Sequence, residues 1–360
     1  MTTPRFRRGL VVGKFSPLHL GHELLIGRAE AACDAVVVLG YSQPELAPST
    51  RANRERWLLA RHPRVRAVVL DDAHLAGLCA QRGLPPRTLP HNDADADADT
   101  HRAFVGWLLI DFLGIDVDAA FTSEHDGDGF AASLTRQFRA RRPGHAGVGH
   151  VLVDIDRSAV AVSGTDVRAN AAAHRHLVAT EVFADLVPRD ALLGAESSGK
   201  TTPAKALAAR LGTTWIGEYG RERWEEVGGI LSVEELVRIG RVQVEREIEG
   251  AQTARGWLVC DTSPLTTLVY CLLDHGDAPP ELRALAGRRY DRVVVCAPDF
   301  AFVQDGTRRD ADFQQRQHAL TTALLAATGT PRLDAIGTLE ARLDRVVADG
   351  TPLIGAPPSA

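Results

Sequence analysis

Short apolar runs alternate along the chain with longer stretches whose apolar residues recur at helical spacing. Leu10-Val11-Val12, AVVVLG at 35–40 and VRAVVL at 65–70 read as strands; HELLIGRAEAA from His22 and a segment near 50–61 read as the helices that separate them. Two further strands are predicted at Ala119–Thr122 and His150–Val153. Near-continuous apolar strands joined by helices predict a parallel sheet covered on both faces. A polar helical stretch at 167–185 and the joint LVPRD close this pattern, and a second one begins at Ala191-Leu192-Leu193. Its strands are WLVCDTS and RVVVCAPD, and its long helix SVEELVRIGRVQVEREIEGAQ opens on a capping box of Ser232 and Glu235. The predicted fold class is α/β with two doubly wound parallel-sheet domains, over 1–186 and 191–348, and a flexible Pro- and Gly-rich tail at 349–360.

Length supports that division, because 360 residues exceed what one hydrophobic core usually serves. Apolar residues at 45 %, charged residues at 24 % and a net charge of −5 describe a folded globular chain and disfavour a generic polyanion binder, so no nucleic-acid partner is expected. No apolar run reaches the roughly 18–20 residues of a membrane span, and no signal-peptide core precedes the first strand. The expected location is therefore cytoplasmic, without membrane insertion, and homo-oligomerisation is left open. Cys33, Cys79, Cys260, Cys271 and Cys296 lack C-x-x-C spacing and read as small buried hydrophobes. The acidic repeat DADADAD at 93–99 reads as a solvated loop.

One bias directs attention to chemistry. Of 41 basic residues only Lys14, Lys200 and Lys205 are lysines, and two of these follow a glycine in a loop. A compact, rotating ammonium is hard to replace by a planar guanidinium beside a phosphate, which marks Lys14 and Lys200.

The segment GAESSGKT at 194–201 fits G-x-x-x-x-G-K-[ST], follows an apolar strand and precedes a helix-compatible run. Such a loop cradles a β-phosphate on backbone N–H groups, with Lys200 reaching the β and γ oxygens and the Thr201 hydroxyl available to Mg²⁺. Asp261 closes the strand WLVCD, where a carboxylate can hold the same ion or take a hydroxyl proton; a turn or N-cap role stays open for it. Arg308 and Arg309 lie in a polar loop that could cover a transferred phosphoryl group, or simply be solvated.

In GKFSPLHLGH at 13–22, a strand gives way to Gly13-Lys14 and then to His19 and His22 at a helix start. A metal site would need a third ligand that nothing nearby supplies, so a phosphate cradle of neutral-to-cationic donors is the better reading. Its partner is SGTDVR at 163–168, a Gly-centred turn whose Ser163 and Thr165 hydroxyls, helix N–H groups and Arg168 can reach one polyphosphate.

H-x-G-H followed by S-G-T-x-x-R resembles the nucleotidyltransferase superfamily of doubly wound α/β adenylyltransferases. GKFSPLHLGHELLI, Thr122-Ser123-Glu124 and DIDRSAVAVSGTDVR resemble in particular the nicotinamide-nucleotide adenylyltransferases. The second half resembles a ribosylnicotinamide kinase through GAESSGKTT, GEYGRE at 217–222, CDTSPLT at 260–266 and DFAFVQDGTRRD at 299–310. Together, over residues 9 to about 345, the chain resembles the bifunctional NadR-type proteins. The resemblance implies a Rossmann-like nucleotidyltransferase domain followed by a P-loop kinase domain. The second would phosphorylate ribosylnicotinamide with ATP, and the first would join the mononucleotide to AMP from ATP, releasing pyrophosphate and NAD. It implies catalytic roles for Lys14, His19, His22, Arg168, Lys200, Glu218 and Asp261, with Mg²⁺ on Thr201 and Asp261. It implies ATP contacts from Gly13, Phe15, Gly21, Ser163, Gly164 and Thr165, and from Gly194, Glu196, Ser197, Ser198, Gly199, Thr201, Thr202, Arg308 and Arg309.

Adenylyl transfer to a phosphate oxyanion needs positioning and charge neutralisation rather than a base, whereas a sugar hydroxyl attacking ATP wants a carboxylate, from Asp261 or Glu218. Some members carry an N-terminal helix-turn-helix; with eight residues before Gly9, none is expected. Two alternatives stay open: a coenzyme A synthase-like transferase and kinase fusion, and a nucleotide-sensing regulator with one inactive site.

Overall fold

The computed structural model describes residues 6–92, 98–299 and 309–349. The chain divides after Val182 into two compact units, and the boundary expected at 186 lies in the helix that spans this division. No helix among the described residues is long and apolar enough to cross a membrane.

The first unit runs β1 (Phe6–Gly13), α1 (Leu20–Ala32), β2 (Cys33–Tyr41), α2 (Arg51–Arg61), β3 (Arg66–Leu70), α3 (Asp72–Gln81) and α4 (Ala98–Trp107), which continues as a π-helical segment to Leu113. It goes on through β4 (Ala119–Thr122), α5 (Gly127–Arg141), β5 (Gly149–Leu152), α6 (Gly164–Ala169) and α7 (Thr180–Leu186). Its five parallel strands stand in the order β3-β2-β1-β4-β5. Leu10, Val37, Leu39 and Leu70 from the sheet pack with Leu75, Phe104 and Leu108 in a fully buried core, so the apolar runs read as strands are those buried on both faces. The stretch at 167–185 is not one helix: it breaks at Asn170, which caps α6, into a 3-10 turn at Arg175–Leu177 and α7. Of the acidic repeat, 93–97 lie outside the described residues, and Ala98 and Asp99 open α4 rather than a loop.

The second unit runs β6 (Arg189–Leu193), α8 (Thr201–Leu211), β7 (Thr214–Ile216), α9 (Tyr219–Glu226), α10 (Val233–Thr253), β8 (Leu258–Asp261) and α11 (Pro264–His275). It ends with α12 (Pro280–Ala286), β9 (Arg292–Cys296), α13 (Ala311–Ala327), β10 (Leu333–Ala335) and α14 (Leu339–Ala348). The parallel strand order is β10-β9-β6-β8-β7. The first strand of this unit is two residues longer than the apolar run suggested, because Arg189 and Asp190 are buried inside it. The Arg189 guanidinium donates to the carbonyls of Ala184 at 2.7 Å and Val187 at 2.9 Å, and both nitrogens of a fork on Arg292 meet the Asp190 carboxylate. Paired and hydrogen-bonded, these charges tolerate burial that either alone would not. Ser232 accepts from the Glu235 N–H at 3.3 Å and caps α10 as expected. All five cysteines are buried, and none is in a disulfide. Lys205 rests over the Trp215 ring, 4.6 Å from its centroid.

In each sheet the strand order reverses direction at a central strand, at β1/β4 and at β6/β8. Ligands of open parallel sheets bind outside the carboxyl ends of the strands at such points.

Candidate active sites

β1 delivers its chain end to the first reversal point. Gly13, Lys14, His19, Gly21 and His22, from β1, the loop after it and α1, line one cleft of about 690 Å³ together with Ser163, Gly164, Thr165 and Arg168. One hydrogen bond joins the motifs across 152 residues of sequence. The Arg168 guanidinium donates to the Ser16 carbonyl oxygen and, at 3.1 Å, to the Thr165 hydroxyl. A Cβ on Gly164 would fall 2.8 Å from the same Ser16 oxygen, so glycine is what lets the second turn press on the first loop. Phe15 does not line this cleft. Its side chain is fully buried against Gly13 and Gly40, and its backbone is left-handed at φ +50°.

His19 is the N-cap of α1: Nδ1 accepts from the His22 N–H at 3.4 Å, which leaves Nε2 to carry the proton of the neutral ring. The His22 ring stacks on it with centroids 3.7 Å apart. Burial first, and then the Arg157 guanidinium, hold the His19 imidazole down to about 4, and burial, His19 and Arg157 hold His22 well below its ordinary value. Both shifts favour neutral donors, the neutral end of the expected range. No group of three or more His, Cys, Asp or Glu side chains among the described residues is arranged for a metal ion. Arg157, a cation that the motif reading passed over although it stands inside DIDRSAVAVSG, lines the cleft in a loop folded around Asp154. Among the described residues its guanidinium makes no hydrogen bond or ion pair.

The second reversal point carries the glycine loop between β6 and α8. Ser197 and Gly199 adopt left-handed conformations, φ +57° and +69°, which turn successive N–H groups inward. A Cβ on Gly194 would strike Ser198 Oγ and sit 3.0 Å from the Cys296 carbonyl, so the loop packs against β9 through bare backbone. Glu196, Ser197, Lys200, Glu218 and Arg309 line a cavity of about 330 Å³, shared with Arg221, Trp224, Thr262 and Tyr270. Thr201 and Thr202 form the first turn of α8, and Ser198 is buried beneath the loop. Arg308 lies outside the described residues.

Lys200 is buried, with Nζ 3.5 Å from Glu218 Oε2. Burial pulls its ammonium down, but Glu218 and Asp261 together outweigh that and raise it. Asp261 ends β8 at 1 % exposure, behind the cavity wall rather than on it. Burial raises its carboxyl against the pull of Lys200 and a hydrogen bond from Thr201. Its Oδ1 is buried without a hydrogen-bond partner among the described residues. An orphaned carboxylate oxygen beside a threonine hydroxyl and a phosphate loop is a donor set that suits Mg²⁺. The N-cap of α11 is Ser263, so Asp261 does not serve as a cap.

Arg309 sits at the cavity with its guanidinium on Asp274, at 2.7 Å for one nitrogen, and its N–H 3.1 Å from Glu196 Oε2. Glu196 is pinned further by Tyr270 OH at 2.8 Å and through its backbone by Gln317 and Gln314 of α13. Beneath the loop, Arg342 of α14, 2 % exposed, donates to the carbonyls of Ser198 at 2.7 Å, Ala297 at 2.9 Å and Gly337 at 3.0 Å, and pairs with Asp299. Nothing in the local sequence around Arg342 marks it.

Residues 189–342 match a family described as an AAA domain. The chain is 29 % identical over 316 residues to the trifunctional NAD biosynthesis/regulator protein NadR of Salmonella typhimurium, covering 83 % of this chain and 71 % of that protein. It is 28 % identical over the same shares to the protein of that name from Escherichia coli. Two crystal structures of NadR, one with NAD and AMP-PNP and one with NR, superpose with TM-scores of 0.62 over 97 % of both chains, at 19 % and 17 % identity, and share its fold. In sequence the chain is similar to NadR, and in architecture it shares the NadR fold.

Proposed function

We propose that this chain is a NAD-biosynthetic enzyme with two activities in two clefts. Residues 191–348 phosphorylate ribosylnicotinamide with ATP, and residues 1–186 adenylylate the resulting mononucleotide with a second ATP, giving NAD and pyrophosphate. The observation that carries this reading is the presence, on one chain, of two clefts suited to phosphate at the reversal points of two parallel sheets: Lys14, His19, His22 and Arg168 in one, Lys200 in the glycine loop of the other. The names of the relatives support it over a coenzyme A synthase-like fusion.

In the first cleft, the nucleophile is already an oxyanion. Neutral histidine donors, Lys14 and Arg168 align it and take up the charge that grows on the leaving pyrophosphate, and no general base is required. In the second, Lys200 neutralises the transferred phosphoryl group, and Glu218, which lines the cavity 3.5 Å from Lys200, orients the attacking hydroxyl. Thr201 and Asp261 would hold Mg²⁺, which when bound offsets charge on the β and γ phosphates.

The test is product analysis by chromatography after incubation with ribosylnicotinamide, ATP and Mg²⁺. Mononucleotide should appear first and NAD after it. A chain that turned over neither substrate would be a sensor rather than an enzyme, and turnover of dephospho-coenzyme A instead would establish the alternative fusion.

A further inference from the structure

At the carboxyl end of β4, Thr122 also lines the first cleft. Its hydroxyl oxygen lies 2.8 Å from Nε2 of His150 on β5, and Nδ1 of the same ring lies 2.8 Å from Oδ1 of Asp128 in the first turn of α5. The packing leaves Thr122 and His150 little freedom, while Asp128 reaches the ring from the exposed side. A Cβ on Gly127 would fall 2.1 Å from His150 Nε2 and 2.4 Å from Thr122 Oγ, so the start of α5 lies directly against the bond between them.

The polarity of the chain follows from its end. A carboxylate only accepts, so Nδ1 of His150 carries the ring proton, and in the neutral imidazole Nε2 is left as an acceptor. The single hydrogen of the Thr122 hydroxyl then goes to Nε2; the Glu124 carbonyl oxygen, at 3.4 Å, is the weaker competitor for it. A threonine hydroxyl ordinarily rotates to donate or accept. Here it is held so that only lone pairs remain for a ligand.

We propose that Thr122, oriented by His150 and Asp128, is a specificity-determining contact of the first cleft that takes a hydrogen-bond donor, an amino group on a nucleobase or on a pyridine carboxamide. An oxygen in place of that amino group would face another acceptor with its own hydrogen missing. This inference rests on the reading that the first cleft joins a pyridine mononucleotide to an adenylyl group. His150 is a positioning residue: it touches the ligand only through Thr122. The chemistry is shared by two sources, the adenine amine and the carboxamide, and the experiment separates them.

Full-length protein and the variants Thr122→Val, Thr122→Ser and His150→Phe would be compared in two pairs of substrates. One pair is ATP against inosine triphosphate, the other nicotinamide against nicotinate mononucleotide, each read as kcat/KM and as a dissociation constant. The parent should prefer the amino form in one pair by about ten- to a hundred-fold, the effect of leaving a buried polar group unmatched. Thr122→Val should abolish that preference, Thr122→Ser should keep it, and His150→Phe should weaken it by freeing the hydroxyl to rotate. The pair that moves identifies the group recognised. Equal loss with all substrates in Thr122→Val would mark a structural role, and unchanged ratios in that variant and in His150→Phe would equally overturn the proposal. Dissociation constants give the ratio even without turnover, so a parent that forms no dinucleotide overturns the functional reading separately. Should Thr122→Val fail to fold, an unchanged preference in His150→Phe overturns the assignment by itself.

Discussion

The His19 imidazole caps a helix, stacks on His22 and is held at about 4 by burial and Arg157. Between that value and the ordinary 6.5, the unfolded chain binds a proton that the folded chain refuses, so stability of the first unit rises with pH across this window and is lost as pH falls. Each tenfold change in proton affinity is worth about 1.4 kcal/mol, which sets the contribution of this one side chain on the order of 3 kcal/mol. His22 acts in the same direction. His19→Asn keeps an oxygen able to accept the cap hydrogen bond but cannot titrate. Urea unfolding of the variant between pH 4 and 7 should therefore show a shallower dependence than the parent, with little change at pH 7. An identical slope would mean that the folded imidazole protonates as freely as the unfolded one.

At the scale of elements, the glycine loop is held from below by a helix that comes more than 140 residues later. Arg342 on α14 ties the Ser198 carbonyl to those of Ala297 and Gly337. Arg342→Met would fill much of the space and leave three carbonyls and Asp299 without their donor, at a cost of about 2–4 kcal/mol. The expected result is a lowered unfolding transition with loss of kinase activity out of proportion to any loss of adenylyl transfer. Kinase activity equal to the parent's at a temperature where both are folded would remove Arg342 from the support of the loop. This dependence also explains which elements could be read in advance. β1, β2, β8 and the glycine loop announce themselves through local runs and spacing. The three-residue strands β7 and β10 are too short for any periodicity, and Arg189 and Asp190 look like a polar joint until Arg292, over 100 residues away, supplies the partner. The candidate site residues read from motifs, from Lys14 to Lys200, stand in short segments whose local spacing marks each one, even where two such segments meet only in the fold. Arg157, Arg342 and the His150 bond to Thr122 depend on the tertiary fold, and local spacing carries no trace of it.

At the scale of the molecule, the two candidate sites belong to units that each bury a separate core around a separate sheet. Substitutions in sites that share no partners should act independently. Lys200→Ala should then abolish phosphorylation of ribosylnicotinamide and spare adenylyl transfer, while His22→Ala should lower adenylyl transfer by about 10²–10³ and spare phosphorylation. An equimolar mixture of the two inactive variants should make NAD from ribosylnicotinamide, with mononucleotide passing through solution. A mixture that stays silent while each variant keeps its remaining activity would show that the intermediate is not released.

The same scarcity of lysine that first drew attention to the loops leaves the folded protein with an unusual chemical signature. Lys14 stands exposed in one cleft, Lys200 is buried in the other against Glu218, and Lys205 lies over an indole outside both. An acylating reagent that seeks exposed side-chain amines therefore meets Lys14 in the first cleft, with Lys205 as an internal standard and Lys200 shielded by burial and its ion pair. Occupancy of the first cleft by any ligand, whatever its identity, becomes readable as protection at Lys14 alone, without a label and without knowing the reaction.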